Sequence, residues 1–214
     1  MSTHPAPPPP GSGLFVAFEG GDGAGKSTQA ALLEQWLTGA GREVVRTREP
    51  GGTVVGRAIR EVVLHGDHVA PRAEALLFAA DRAHHVATVV RPALRRGAVV
   101  LTDRYLDSSI AYQGTARALA PEEIRDLSLW AAEGLLPDLT ILLDVGAGVG
   151  RARRGQVHDR LEREGDDFHE RVRSGFLGLA AADPGRYLVL DATLPVEHLQ
   201  QAVRARLTSW GPAR

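Results

Sequence analysis

The 214-residue chain is 43% hydrophobic and carries a formal net charge of -1. That content suits one globular domain with a sizeable core, and the near-neutral balance argues against a general nucleic-acid-binding surface. With no cysteine, disulfides and thiolate metal sites are excluded, which fits a reducing compartment, here read as the cytoplasm.

Residues 1–13 open Met-Ser-Thr-His and continue as a proline-rich run. They lack the basic start and apolar core of a signal peptide and read as a disordered or polyproline-like tail. No apolar run is long enough to span a membrane. A single domain is expected over residues 14–214. Its first element is the apolar run 14–18, a buried strand. Next come Gly20, Gly21, Asp22, Gly23, Ala24, Gly25, Lys26 and Ser27, then Thr28, with a helical pattern over 29–37. This is G-x-x-x-x-G-K-S in its strand–loop–helix context, a phosphate-binding loop. Glycines let successive N–H groups curl inward toward phosphate oxygens, and the helix N-terminus adds its positive dipole end. Lys26 is expected at the β/γ-phosphates and Ser27 at a Mg²⁺. The chain has 24 arginines and one lysine, Lys26. A compact ammonium is kept where a planar guanidinium would not fit.

Further strands are expected at 43–47, 98–102, 139–145 and 187–190, separated by helical patterns. The alternation predicts a five-stranded parallel α/β sheet with helices on both faces, its chemistry at the carboxyl ends of the strands. After the second strand, Thr47-Arg48-Glu49-Pro50-Gly51-Gly52 reads as an irregular substrate-facing turn, and Thr53 as the cap of a helix to about residue 64 that carries Arg57 and Arg60. Pro71 starts a long helix. On it Phe78 and Arg82, four residues apart, share a face. An aromatic beside a forked donor could hold a planar base, although spacing alone favours Phe78 in the core and Arg82 reaching to water. His84-His85, on the same helix, reads as a surface pair. The third strand leads into Asp103-Arg104-Tyr105. Asp103 has the placement of an acid in a Mg²⁺ shell, and Arg104 could bind an acceptor phosphate. The polar, helix-like run 108–114 puts Ser109 and Gln113 on one face, Gln113 offering both a donor and an acceptor. The charged stretch 148–167, with Arg151, Arg153 and Arg154, reads as a lid.

Together, Phe18-Glu19-Gly20 through Ser27, Thr47 through Thr53, Asp103-Arg104-Tyr105, residues 108–114, Asp159-Arg160 with Glu162, and Leu190-Asp191-Ala192-Thr193 resemble bacterial thymidylate kinases across everything after the tail. The resemblance implies a P-loop kinase fold, homodimeric assembly, and transfer of the ATP γ-phosphoryl group to dTMP with Mg²⁺. It implies that Phe78 stacks on thymine, that Arg82 bonds the base edge with Ser109 and Gln113 beside it, and that Arg104 and Arg60 hold the acceptor phosphate. It further implies that Asp22 meets the sugar 3′-hydroxyl, that Tyr112 packs under the sugar, and that Glu49 lies in the acceptor loop. Some members carry a catalytic arginine in the phosphate loop, where this chain has Gly23, and others in the lid. A glycine supplies no charge, so Arg153 and Arg154 are expected to supply it.

Two other readings remain at this stage: a kinase for another nucleotide or a nucleoside in the same fold, and a GTP-dependent switch. The switch needs Asn-Lys-x-Asp to read guanine. The chain has no asparagine and no second lysine.

Overall fold

The computed structural model describes residues 13–117, 119–153 and 159–209. Five strands, β1 (Leu14–Gly20), β2 (Val44–Arg48), β3 (Val99–Asp103), β4 (Leu139–Asp144) and β5 (Tyr187–Asp191), form one sheet in the order β2-β3-β1-β4-β5. Every pairing is parallel. Each strand begins within one residue of its expected start. The central strand β1 is buried along its whole length, so its side chains alternate between two apolar faces. Leu14, Val16 and Phe18 pack with Leu33 and Leu37 of α1 (Lys26–Gly39) and with Val203 and Leu207 of α9 (Val196–Thr208). Phe15 and Ala17 face Val86, Val90 and Ala93 on the other side. Fully burying one such Val, Leu or Phe contributes roughly 1.5–3 kcal/mol relative to exposure, which makes this three-layer core the rigid base for the loops at its edge. Among the described residues, no helix is long and apolar enough to cross a membrane.

The helix capped by Thr53, whose Oγ1 accepts from Gly56 N at 2.8 Å, is α2 (Val54–Arg60), followed by a wider π-helical turn at Glu61–His65. Pro71 occupies the first turn of α3 (Pro71–His85), and a π-helical turn, Val86–Val90, leads into α4 (Arg91–Arg95). After β3 come α5 (Leu106–Ser109), a π-helical segment at Ile110–Ala116 and α6 (Pro121–Ala131). The polar, helix-like run is buried from Ser109 to Gly114, because α8 (Asp166–Ala182) packs over it, with Phe168 and Phe176 edge-on to Tyr112. The π-helical segment turns Tyr112 and Gln113 inward, and such wide turns recur at functional sites. Between β4 and α8 lie α7 (Ala147–Arg153) and a turn from Asp159 to Glu164.

Strand register sets the site. Arg48 pairs with Asp103, and Asp103 with Phe18. The turns after β2, β3 and β1 therefore leave the sheet side by side at its carboxyl edge.

Candidate active site

The phosphate loop leaves β1 at Gly20 and enters α1 at Lys26. Gly25, the N-cap of α1, has φ 93, a left-handed conformation that glycine adopts without a Cβ penalty. Ala24 tucks into the core beneath the loop, while Gly23, Gly25, Lys26, Ser27 and Thr28 line an open cleft above it. Lys26 is 7% exposed, and its Nζ donates to Gly20 O at 3.1 Å and Gly21 O at 2.8 Å. Burial first, and then the charge of Arg104, pushes its ammonium below the ordinary 10.5, against the pull of Asp103, Asp22 and Glu19. Ser27 Oγ donates to Asp103 Oδ2 at 2.7 Å. Gly23, at φ 80, touches the backbone of Gly150 in α7, and a Cβ on Gly150 would stand 2.6 Å from the Asp22 carbonyl oxygen. This glycine-on-glycine contact lets α7 sit on the phosphate loop. Arg153, at the end of α7, lines the same cleft and donates to Ala192 O at 2.7 Å. Arg151 instead pairs with Asp166. Arg154 lies outside the described residues, as does the tail except for Gly13.

A second cleft adjoins the first. Asp22, Glu49, Arg60, Phe78, Arg82, Arg104, Ser109, Tyr112 and Gln113, nine residues from five separate stretches of chain, all line it. Arg104 stands at φ 68, an uncommon conformation for a residue with a Cβ. Its backbone N donates to Phe18 O at 2.9 Å, and Thr102 Oγ1 donates to its carbonyl at 2.8 Å. The guanidinium then reaches Gly20 O (3.1 Å), Ser108 Oγ (3.0 Å), Tyr112 Oη (3.3 Å) and the Asp22 carboxylate. Burial alone would lower its pKa, yet Tyr112, Asp22, Asp103 and Glu19 raise it well above the ordinary guanidinium value. Burial would likewise raise Asp22, but Arg104 and Lys26, with the bond from Tyr112, hold its carboxyl well below the ordinary 3.8. Arg60, half-buried, donates to Pro50 O at 3.1 Å. Burial and the nearby Arg48 charge press its pKa downward. Arg48, Arg60, Lys26, Arg104 and Arg153 therefore crowd one cleft, an arrangement that a polyanion relieves.

At the far end Phe78 is 8% exposed and packs beside Leu64, Tyr112 and Leu161 while still lining the cleft. Arg82 does not reach to water. It is 2% exposed and donates to Glu49 Oε2 (2.9 Å), Ser128 Oγ (3.1 Å), Tyr105 O (3.2 Å) and Ser109 Oγ (3.1 Å). Glu49 lines both clefts, and its other oxygen binds His85 Nδ1 at 2.8 Å. Its visible work is to hold Arg82. The expectation of a surface His84-His85 pair fails at His85, which is fully buried, with Nε2 2.7 Å from Thr47 Oγ1. A carboxylate only accepts, so Nδ1 carries the proton toward Glu49, and the Thr47 hydroxyl, able to donate or accept, completes the pair at Nε2. Beside this network, burial and Glu49 push the Asp81 carboxyl up to about 6.

Sequence reasoning missed several members of the site. Arg48 lines the phosphate cleft, and Leu64, Tyr105 and Leu161 line the second. Arg48 was legible as a charge at a strand's carboxyl end. Leu64 and Leu161 carried no signal distinct from ordinary core, and Tyr105 stood in the Asp103-Arg104-Tyr105 block without a role of its own.

A family model described as thymidylate kinase matches residues 18–203. The chain is 67% identical to the thymidylate kinase of Leifsonia xyli subsp. xyli, over 91% of this chain and 94% of that protein. It is 57% identical to that of Bifidobacterium longum subsp. infantis, covering 91% and 85%. It is 49% identical to that of Methylococcus capsulatus, covering 92% and 96%.

Proposed function

The chain belongs to the thymidylate kinase family, and we propose that its two clefts hold ATP and dTMP against one shared wall. It transfers the γ-phosphoryl group of ATP to dTMP, giving dTDP and ADP. The observation that carries the reading is that wall. Asp22, Glu49, Arg60 and Arg104 line both clefts, so an acceptor phosphate in one faces the donor phosphates in the other.

The acceptor is already an anion and needs no base. The protein's work is positioning and charge stabilisation. Arg104 and Arg60 hold the acceptor phosphate. Asp22, kept ionised, accepts from the sugar 3′-hydroxyl, and Tyr112 underlies the sugar. Phe78 stacks on the thymine ring, and Arg82, Ser109 and Gln113 meet its edge. Lys26 serves the β- and γ-phosphates, the loop N–H groups from Gly20 to Thr28 cradle them, and Arg153 and Arg154 bring lid charge to the transferring group. Ser27 Oγ and Asp103 Oδ2, 2.7 Å apart, are hard oxygen donors that suit Mg²⁺, an ion that takes few protein ligands beside phosphate and water oxygens. When bound, it neutralises charge developing on the phosphates.

The protein acts in the cytoplasm as a homodimer. Supporting the dimer, Val55, Val62, Leu76 and Trp130 are exposed on α2, the following turn, α3 and α6, with Trp130 78% exposed. Exposed large apolar side chains on helices that pack together, α2 on α3 and α3 on α6, suit an association surface, and sedimentation of the wild type against Trp130→Glu tests it.

A coupled ADP-release assay across nucleoside monophosphates and thymidine tests the reaction. dTMP should be the best acceptor and thymidine should be inert. dUMP, lacking one methyl, should be weaker by roughly 10–200-fold. Equal or better turnover of AMP, CMP or GMP overturns the assignment.

A further inference from the structure

We propose that Glu74 is a specificity-determining positioning residue, its carboxylate dictating which end of the Gln113 amide faces the acceptor base. The inference rests on the reading of the second cleft as the dTMP site.

Glu74 lies in the first turn of α3 and is fully buried. It accepts from Gln113 Nε2 at 2.8 Å, from Arg117 Nε at 3.3 Å and from Arg160. An ionised carboxylate accepts and never donates. The two arginines already commit it to that role, so the Gln113 amide must turn its NH₂ toward Glu74 and its Oε1 away. Gln113 is 1% exposed and lines the acceptor cleft, so Oε1 is the end left for a ligand. The two ends of an amide are nearly the same size. Without a group such as Glu74, shape alone would not decide between them.

The choice has a chemical consequence. Arg82 has five N–H donors, and four of them go to Glu49, Ser128, Tyr105 and Ser109. What it can offer a base is a donor. What Gln113 can offer, as Glu74 holds it, is an acceptor. A pyrimidine with an N3–H donor and a 4-oxo acceptor matches that pair. A cytosine, with an unprotonated N3 and a 4-amino group, opposes it at both positions, a selection made by mismatch as much as by attraction. Glu74 touches no substrate in this account. It acts through Gln113.

The substitution Glu74→Gln reverses the logic. Arg160, whose bond to Oε2 is closer than that of Arg117 to Oε1, holds the carbonyl of the new amide. Its NH₂ takes the Oε1 position that faces Gln113 at the expense of the long Arg117 bond, and Gln113 must turn its own NH₂ into the cleft. The exchanged pair E74Q/Q113E restores an acceptor there. Residue 113 then accepts from Gln at 74 with one carboxylate oxygen and presents the other to the base. The exchange also keeps the charge count, so the arginines retain an anion nearby.

The test compares kcat/KM for dTMP with that for 5-methyl-dCMP, which has the same size and the same methyl. E74Q should lower the dTMP preference by on the order of tenfold or more, the worth of one hydrogen bond made or opposed, with KM for ATP unchanged. E74Q/Q113E should recover most of the preference. R117Q, which loosens Glu74 but leaves it a carboxylate, should keep the wild-type ratio. A wild-type ratio in E74Q, or an equal loss in R117Q, overturns the proposal. If E74Q does not fold, the charge-conserving exchange decides alone, since losing the preference there also overturns it. A wild-type enzyme that ignores dTMP would instead sink the acceptor assignment itself.

Discussion

The base end of the acceptor cleft and the phosphate cleft that adjoins it are built in opposite ways. At the base end, Arg82, Gln113, Glu49, His85 and Glu74 are all buried, and each is bonded to protein partners before any ligand arrives. At the phosphate end, Arg48 and Arg153 are exposed, Arg60 is half-buried with its charge disfavoured, and Lys26 rests on the carbonyls of its own loop. The base does not change during phosphoryl transfer, so a rigid, fully satisfied frame serves it. The phosphates gain and lose charge, so their end needs cations that are underpaired until substrate comes. Selectivity therefore belongs to the frame, and rate to the open cluster.

Breaking the open cluster should have the largest effect, and it should fall on kcat. Lys26→Ala removes the point cation that we propose for the β/γ-phosphates. We expect steady-state kcat to drop by about 10³-fold or more, as for charges that act in phosphoryl-transfer transition states, while dTMP titration shows nearly unchanged affinity. A folded variant with wild-type kcat removes Lys26 from the mechanism.

Arg153→Ala should come next. In the proposed mechanism Arg153 shares its role with Arg154, so about 10²-fold in kcat is expected, near the worth of one preorganised donor. A loss confined to dTMP affinity would move Arg153 to the acceptor phosphate. Unchanged kinetics would leave it as the clamp that joins α7 to Ala192.

At the frame end the effect should be smaller and of the other kind. Phe78→Ala should weaken dTMP binding by roughly 1–3 kcal/mol, the range for one base stacked on an aromatic, with ATP binding intact. Calorimetry against each nucleotide separates the two. Equal loss for both would show that Phe78 supports the fold rather than the base.

The same contrast explains what the sequence disclosed. The phosphate loop is one contiguous run whose glycines and lysine are dictated by local backbone geometry, so Gly20 to Thr28 could be read residue by residue. The strands were legible to within a residue at their starts, because a parallel sheet buried on both faces writes itself as short apolar runs. The frame was not legible in this way. Glu74, Gln113 and Arg160 meet from positions far apart in the chain, and no spacing rule connects them. His85 looked like surface because a helical histidine usually is. Only the fold shows that β2 delivers Thr47 and Glu49 to either side of its ring. The spacing-based reading of Arg82 as reaching to water fails for the same reason, since its burial is made tolerable by four partners that sequence does not bring together.

The last prediction concerns Glu19, which lies beneath the junction of the two ends and joins neither cleft. Its Oε1 accepts from Tyr105 N at 2.8 Å and Ser108 N at 3.2 Å, and its Oε2 from Ser108 Oγ at 2.6 Å. It thereby secures the segment that presents Arg104. Burial, and then the nearby Asp107 carboxylate, pushes its carboxyl from 4.5 up to about 7, despite Arg104 and the bonds from Ser108 and Tyr105. The unfolded chain releases this proton near 4.5, whereas the folded protein keeps it until about 7. Between those values the folded state binds more protons, so stability falls as pH rises through the window and levels off above it. Glu19→Gln should remove that slope without rebuilding the site. Its Oε1 can keep both backbone bonds, and its NH₂ can donate to Ser108 Oγ. Thermal melts from about pH 5 to about pH 8 should show the wild type losing several degrees more than the variant, since each kcal/mol moves the midpoint of a chain this size by roughly 2–4 °C. Parallel curves for the two proteins would place the titration elsewhere. Asp81, pushed up to about 6 at the edge of the base frame, would then be the group to replace next.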